Sequence, residues 1–251
     1  MEQNSSAYRV EAVDRALVLL SLLVERESVT VSVAAHELAV APSTAHRLLA
    51  TLCYRDYAVQ GPDRSYRPGP ALQRHTPDEA ALTLVGLVRP YLERLYEWVG
   101  ETVHLVVPVG ADTLFVDGVE GTQALRIGLR TGTRIPAYCT SGGKHMLAQL
   151  DWESVEQLHS GGLRPWPGAQ VTNMSQLRTH LDQVRATGYG LNTEESEPGV
   201  IALGAAIVTA GGAPAGAISV SLPAVRFDPT RAADLSRPLL EACTMASHAV
   251  R

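Results

Sequence analysis

Apolar residues recur at helical spacing in the first part of the chain. The first run predicts an amphipathic helix whose buried stripe comprises Val13, Ala16, Leu17, Leu20, Leu23 and Val24. Ser32 is placed to cap a short second helix at 33–39. Pro42 suits the first turn of a third helix that runs to Arg55, because the N–H that proline lacks would have no partner there.

A β-hairpin is predicted directly after these helices. Two short extended pieces at 57–60 and 65–67 flank Gly-Pro-Asp-Arg at 61–64, which is a strong turn sequence. Proline and glycine then cluster, so we expect a boundary near 68–76.

The second part of the chain mixes helices with strands. A helix capped by Thr76 is predicted at 77–99, with a break or kink at Pro90. Alternating apolar and polar positions predict strands at 103–109, 113–119, 124–130, 189–192, 200–208 and 215–221. Helical patterns occupy 141–159, 173–187 and 229–249, the last capped by Asp228. This order predicts an α+β fold with a mostly antiparallel sheet.

Composition narrows the class of protein. A length of 251 residues predicts about two domains, and 45% apolar residues allow a substantial core. The formal net charge of −5 excludes a uniformly basic nucleic-acid coat but leaves local patches open. Three widely spaced cysteines exclude a disulfide framework and a CxxC zinc site. We expect a cytoplasmic protein without signal peptide, membrane span, metal or other cofactor.

One face of the third predicted helix is small, polar and free of carboxylates. Its apolar side carries Ala45, Leu48, Leu49 and Leu52, which leaves hydroxyl, imidazole and guanidinium groups on the other side. Residues 43–75 have a net charge of +3, whereas residues 1–42 have −3. We therefore expect DNA binding by the helix and hairpin residues Ser43, Thr44, His46, Arg47, Thr51, Arg64 and Arg67. A protein-interaction module is the alternative.

A second group of residues has the chemistry of an anion site. Thr140, Ser141, Gly142 and Gly143 precede or open a helix, where N–H groups lack intrahelical partners and a carboxylate can bind. We expect apolar cover from Ala124, Ile127, Leu129 and Tyr138.

Catalytic alternatives use the same region. Ser141 or Cys139 could act as a hydrolase nucleophile, and Lys144 as a Schiff-base amine or simply as a charged helix residue. Glu194, Glu195 and Glu197 could form a metal or acid–base site, a solvated acidic loop or a hydrogen-bonding latch. No feature singles out a base beside a nucleophile, so we expect no catalytic residue.

Several stretches of the sequence also resemble a known protein family. The run VTVSVAAHELAVAPSTAHRLLATL, followed by YAVQGPDRSYRPG, resembles the N-terminal winged helix of the IclR family of bacterial transcriptional regulators. The motifs LRIGLRTGTRIPAYCTSGGKHMLAQL and GYGLNTEESEPGVIALGAAIV resemble its effector-binding domain. The resemblance implies a winged helix-turn-helix, a connecting helix and a GAF-like C-terminal domain. It also implies a dimer, or a dimer of dimers, on a near-palindromic operator.

Individual residues can be matched through this resemblance. Ser141, Gly142, Ser219 and Ser221 match effector-contacting positions, and the two serines at 219 and 221 share one strand face. Asn192 and Ala202 match wall positions where some members have Asp and Cys, so no known ligand can be transferred. Asp56 stands where the family usually has Gly, and Asp tolerates the left-handed backbone that this turn needs.

The resulting expectation has three parts. Residues 1–75 form a winged helix-turn-helix domain, 76–100 a connecting and dimerisation helix, and 101–251 an effector-binding domain. The protein is expected to be a non-enzymatic regulator of a catabolic operon that responds to a small organic acid, aromatic acids included. A hydrolase-like enzyme using the C-terminal pocket is the alternative.

Overall fold

The computed structural model describes residues 10–26, 28–61, 63–69 and 79–250. The predicted cap Thr76 lies outside these residues. The chain divides into two compact units, residues 1–76 and 77–251.

The first unit consists of three helices and a two-stranded hairpin. Its elements are α1 (Glu11–Arg26), α2 (Val31–Glu37), α3 (Pro42–Tyr54), β1 (Ala58–Gln60) and β2 (Tyr66–Pro68). The two strands are antiparallel, with Val59 opposite Arg67. This element order confirms the predicted winged helix-turn-helix.

The cap of α2 differs from the prediction. Thr30, not Ser32, precedes the helix in extended conformation, and its side-chain oxygen accepts a hydrogen bond from the Val33 N–H at 3.3 Å. Both residues are good caps, and the helix begins two residues earlier than its apolar pattern indicated. Asp56 has a φ of 60°, the left-handed conformation expected at the end of α3.

The buried stripe predicted for α1 is confirmed at Leu23 and in part at Leu20, and is wrong at its exposed positions. The buried residues of this helix are Leu19, Leu22 and Leu23, whereas Val13 and Leu17 are more than half exposed. The helix has apolar residues on more than one face, so spacing alone could not identify the face that α3 and β2 cover.

The second unit is an antiparallel sheet between two helical layers. Its helices are α4 (Glu79–Val99), α5 (Ser141–Ala148), α6 (Trp152–Leu158), α7 (Met174–Thr187) and α8 (Ala232–Ala249). Its strands are β3 (Thr102–Val109), β4 (Asp112–Val119), β5 (Arg134–Pro136), β6 (Gly190–Thr193), β7 (Val200–Val208) and β8 (Pro214–Pro223). The strand order is β5-β4-β3-β8-β7-β6, and every pair is antiparallel.

The two faces of this sheet pack against different helices. One face packs with α4 and α8 around residues such as Leu105, Leu203 and Ile218. The other face packs with α5 and α7 around Val106 and Ala217. Successive strand residues point to opposite faces, which is why neighbouring positions belong to different cores.

Several boundaries in this unit correct the predictions. Residues 124–130 form no strand, and β5 lies beside β4 instead. The helix predicted at 141–159 is two helices, because Asp151 caps α6 by accepting a hydrogen bond from the Ser154 N–H at 2.7 Å. The last helix begins at Ala232, after a short 3-10 turn.

The helix α4 belongs to the core of the second unit. It continues through Pro90 without the predicted break, and it buries Leu84, Val88, Leu92 and Leu95 against the sheet. No helix in the described part of the chain combines the length and apolarity that a membrane span requires.

Candidate nucleic-acid interface and ligand cavity

The outer surface of α3 carries the residues predicted to bind DNA. Ser43, His46, Arg47 and Thr51 are exposed, and Thr44 is half-buried. The Thr51 hydroxyl donates to the Arg47 carbonyl at 2.8 Å, one turn earlier in the helix. These side chains therefore form one solvent-facing surface.

The opposite side of α3 fixes this orientation. Ala45, Leu49 and Leu52 are buried against the other helices, and Leu48 is half-buried. The helix sequence contains no Asp or Glu, so no acidic side chain of α3 itself would repel phosphate groups. No side chain caps its first turn, which leaves N–H groups available to a phosphate oxygen.

The hairpin places two arginines on the surface. Arg64 is exposed in the turn between the strands and has a φ of 60°, an unfavourable conformation for a residue with a side chain. Arg67 is exposed and lies 3.4 Å from an Asp63 carboxylate oxygen, a long contact between exposed groups that constrains the arginine little. Both guanidinium groups are accessible.

Tyr54 is a further exposed residue of α3. It is 80% exposed at the end of α3, and the Arg55 guanidinium carbon lies 5.4 Å from the centre of its ring. An exposed aromatic ring beside a cation extends the candidate interface beyond the predicted set.

A small enclosed cavity lies on the α5 side of the second-unit sheet. It is lined by polar and apolar groups from strands, loops and α5, namely Phe115, Arg130, Thr140, Ser141, Asn192, Ser196, Val200, Ala202, Ser219 and Ser221. Five of the residues predicted from sequence meet here: Ser141, Asn192, Ala202, Ser219 and Ser221.

Strand register brings these residues together. Ser221 on β8 is paired with Ala202 on β7, which is paired in turn with Asn192 on β6. Ser219 lies one step along the same face of β8, opposite Gly204. Residues directly opposite in antiparallel strands share a face, so three strands contribute to one wall.

Glycine allows α5 to approach the sheet. A Cβ atom at Gly204 would lie 2.6 Å from the Ser141 carbonyl carbon, and a side chain at Gly190 would also collide with the Ser141 backbone. The Thr140 hydroxyl caps α5 by accepting the Gly143 N–H at 3.0 Å. The first turn of α5 therefore forms part of the cavity wall.

A buried histidine supports Ser221. The Ser221 hydroxyl lies 3.3 Å from the His104 Nδ1, and the Phe115 ring packs edge-on at 5.2 Å. Burial lowers the pKa of His104 to about 4, and the positive charge of Arg130 adds to this effect. The imidazole is therefore neutral at neutral pH. Among the described residues its Nε2 has no hydrogen-bond partner.

Arg130 is a cavity residue that the sequence analysis missed. Its guanidinium forms an ion pair with the Glu197 carboxylate at 2.5 Å. Arg130 directly follows Leu129, which was predicted to cover the ligand, so its place in the sequence could have identified it as a cavity residue.

Lys144 and Glu195 form an ion pair beside the cavity. Both side chains are 1% exposed, and the Lys144 ammonium also donates to the Leu191 carbonyl at 2.7 Å. Asn192 accepts the Glu195 N–H at 2.9 Å and donates to the Ser196 hydroxyl at 2.5 Å. Lys144 is therefore buried and not solvated. The segment after β6 is held in place by hydrogen bonds, as in the alternative of a hydrogen-bonding latch.

The residues predicted as apolar cover lie elsewhere. Ala124 and Leu129 are exposed, and Ile127 is half-buried with its carbonyl accepting the Thr102 hydroxyl at 2.5 Å. Tyr138 is buried, but its hydroxyl donates to the Arg164 carbonyl at 2.7 Å. None of the four lines this cavity.

Gly142 lies beside the cavity lining. A Cβ atom there would be 3.3 Å from the Ser219 hydroxyl.

The geometry gives little support to the catalytic alternatives. Burial raises the pKa of the Cys139 thiol to about 11, so it is not a thiolate at neutral pH. The Ser221–His104 contact lacks an orienting carboxylate among the described groups. Within the same part of the chain, no cluster of three or more histidine, cysteine, aspartate or glutamate residues could hold a metal ion.

A winged helix-turn-helix followed by an α+β unit with an enclosed polar cavity defines a ligand-responsive DNA-binding transcriptional regulator. Residues 12–62 match the IclR helix-turn-helix domain, and residues 80–248 match the bacterial transcriptional regulator IclR C-terminal domain. The chain belongs to the IclR family.

Individual relatives agree with this assignment. The chain is 34% identical over 240 residues to the HTH-type transcriptional regulator BhcR of Paracoccus denitrificans, covering 93% of this chain and 85% of the relative. It is 29% identical over 240 residues to the transcriptional repressor IclR of Escherichia coli, covering 93% and 88%. The crystal structure of Thermotoga maritima IclR superposes with a TM-score of 0.65 at 25% identity, covering 96% and 99%.

One structural relative contains a ligand. An IclR homologue from Microbacterium hydrocarbonoxydans, solved as a complex with 4-hydroxybenzoate, superposes with a TM-score of 0.62 at 24% identity. The match covers 96% of this chain and 99% of that one.

Proposed function

We propose that α3 and the hairpin form the operator-binding surface. The observation that carries this proposal is the exposed, carboxylate-free face of α3. Its hydroxyl, imidazole and guanidinium groups can donate to phosphates and base edges. The proposed interface comprises Ser43, Thr44, His46, Arg47, Thr51, Arg64 and Arg67.

We further propose that the cavity binds a small organic acid as effector. Ser219, Ser221 and the N-terminal turn of α5 at Ser141 and Gly142 would hydrogen-bond its carboxylate, because these three serine hydroxyls line the cavity beside the first turn of a helix. Asn192 and Ala202 would form the side wall. The complex of a relative with 4-hydroxybenzoate makes aromatic acids the first class to test.

The regulatory mechanism proposed is a population shift. The protein would act as a homodimer, or as a dimer of dimers, on operator half-sites about 34 Å apart. Effector binding would favour one arrangement of the paired winged helices, and a coupling of about 1–3 kcal/mol would change operator affinity about 5- to 150-fold. We propose that it controls a catabolic operon in the cytoplasm and catalyses no reaction.

A mobility-shift assay on the DNA upstream of the chain's own gene tests the first proposal. Arg47→Ala is expected to weaken binding and to reduce its salt dependence, because one phosphate or base contact is lost. Arg15→Ala, which changes an arginine paired with Glu11 on α1, is the matched control. Unaltered binding by Arg47→Ala, or no shift with the wild-type chain, would count against this interface.

Calorimetry tests the second proposal. Aromatic and 2-oxo acids are expected to bind the full chain, and Ser221→Ala is expected to weaken them. Equal binding to both forms would place the effector elsewhere.

A further inference from the structure

The cavity is almost closed. Only about 10 Å³ of it is open to the centre of a water molecule, so it has room for about one ordered water. An organic acid with a ring or a short carbon chain is several times larger. Binding therefore requires one wall of the cavity to move outward.

The wall formed by α5 is poorly suited to this movement. Its first turn lies in backbone contact with the strands at Gly190 and Gly204. One turn further along, Lys144 is held by Glu195 and by the Leu191 carbonyl. Moving this helix would break a buried ion pair, which is costly.

The wall containing Arg130 is held differently. Arg130 is the one charged residue among the described residues that line the cavity. Its side chain is 15% exposed, but its partner Glu197 is 59% exposed. An ion pair with so exposed a carboxylate is weak. The arginine can therefore exchange this partner for another anion at little cost.

We propose that Arg130 selects anionic effectors. Glu197 forms an ion pair with the Arg130 guanidinium until the carboxylate of the effector takes the place of the Glu197 carboxylate. This inference rests on the proposed function of the cavity as the effector site. It adds the residue that recognises the negative charge of the ligand, and an internal competitor for the same arginine.

The exchange also explains how the cavity would open. Glu197 lies in the segment that joins β6 to β7, which also contributes Ser196 to the cavity wall. Once an incoming carboxylate takes the guanidinium, Glu197 no longer ties this segment to Arg130. The Glu195–Lys144 pair and the hydrogen bonds of Ser196 to Asn192 and Trp166 keep the first part of the segment in place. The movement is therefore confined to Glu197 and the exposed residues after it, which lead to Val200 in the cavity wall.

Calorimetric titration of the full-length chain can separate the effect of the ligand's charge from the effect of its shape. The probes are benzoate, 4-hydroxybenzoate and 2-oxobutyrate, with benzamide and 4-hydroxybenzamide as neutral counterparts of the aromatic acids. Arg130→Gln is expected to weaken binding of the acids by about tenfold or more, because a charge-assisted hydrogen bond is lost. Binding of the amides is expected to stay within about twofold of the wild type.

Removing the competitor should have the opposite effect. Glu197→Gln is expected to tighten binding of the acids about two- to fivefold, as for loss of a weak ion pair. Glu194→Gln is the matched control, because Glu194 is exposed in the same segment but contacts the Gly199 N–H instead of Arg130. It is expected to leave affinity unchanged.

The variants distinguish this inference from the proposed effector site. Acid binding that is weakened by Ser221→Ala but unaffected by Arg130→Gln and Glu197→Gln would retain the cavity and overturn the role of Arg130. Absence of acid binding to the wild type, or equal binding to all variants, would overturn both. If Arg130→Gln does not fold by circular dichroism, Arg130→Lys and Glu197→Gln still decide, since tighter binding by Glu197→Gln is required.

Discussion

Lys144 and Glu195 neutralise each other inside the second unit, 51 positions apart in the chain. Burial lowers the pKa of Lys144, and the carboxylate of Glu195 opposes this effect. Neither group is available as a reactive amine or a free acid. The pair instead joins α5 to the segment after β6, and thereby sets one edge of the cavity.

Removing one partner of this pair is expected to destabilise the second unit. Lys144→Met should cost about 3–5 kcal/mol, because it leaves a buried carboxylate without a counter-charge, and Lys144→Met/Glu195→Met should cost less than the single change. Urea unfolding followed by tryptophan fluorescence measures this, since all three tryptophans lie in the second unit.

The control for this prediction is an exposed ion pair. Arg126→Met removes the partner of Glu120 at the surface and should cost at most about 1 kcal/mol. A cost for Lys144→Met no larger than that for Arg126→Met would show that the buried pair contributes no special stability.

His104 is expected to make the second unit acid-sensitive. The unfolded chain takes up a proton at this residue near pH 6.5 and the folded chain near pH 4, so the unfolded state binds more protons between these values. Stability should therefore fall by about 3 kcal/mol as the pH drops through this window. His104→Gln should flatten the profile of unfolding free energy against pH, and His248→Gln, at an exposed histidine of the same unit, is the control. Parallel profiles for wild type and His104→Gln would refute the assignment.

Arg64 is expected to separate DNA affinity from stability. Arg64→Gly relieves the positive φ and should stabilise the hairpin by about 0.5–1 kcal/mol, yet it removes a cation and should weaken operator binding. Hydrogen exchange of the Gly61 and Tyr66 amides, both hydrogen-bonded in this unit, reports the stability. Arg64→Ala should weaken DNA binding without slowing exchange. Faster exchange in Arg64→Gly would contradict the argument from strain.

Gly204 is expected to tolerate no side chain. Gly204→Ala would push α5 away from the sheet and should cost about 1–3 kcal/mol, with loss of acid binding in the cavity. Gly211→Ala is the control, since its nearest neighbour would be 3.8 Å from the new Cβ. Tryptophan fluorescence in urea and calorimetry check both effects. Full stability and binding in Gly204→Ala would show that α5 is not held by this contact.

Local signals predicted much of the fold. Pro42 and the periodic leucines identified α3, and the alternation of Ser219 and Ser221 correctly placed both on one strand face. These features depend on neighbours within a few residues. The covered face of α1 depends on which helices pack against it, and spacing alone could not reveal that.

The sequence alone could not predict contacts between residues that are far apart in the chain. Arg130 and Glu197 are 67 positions apart, and nothing local in either segment indicates the other. Residues 124–130 alternate like a strand, but β5 occupies the position beside β4, which leaves this segment irregular. Both outcomes follow from the competition of segments for places in one sheet, which only the folded chain resolves.

The glycines at 190 and 204 let the main chain of α5 lie directly against the sheet beside the cavity. This close contact depends on both glycines, so the position of α5 is fixed by two residues that do not themselves touch a ligand. Diversification of ligand preference would then fall to a few codons for other residues that line the cavity, among them those for Arg130, Ser196 and Val200. With the proposed effector role, ligand preference would change in related chains without rebuilding the scaffold.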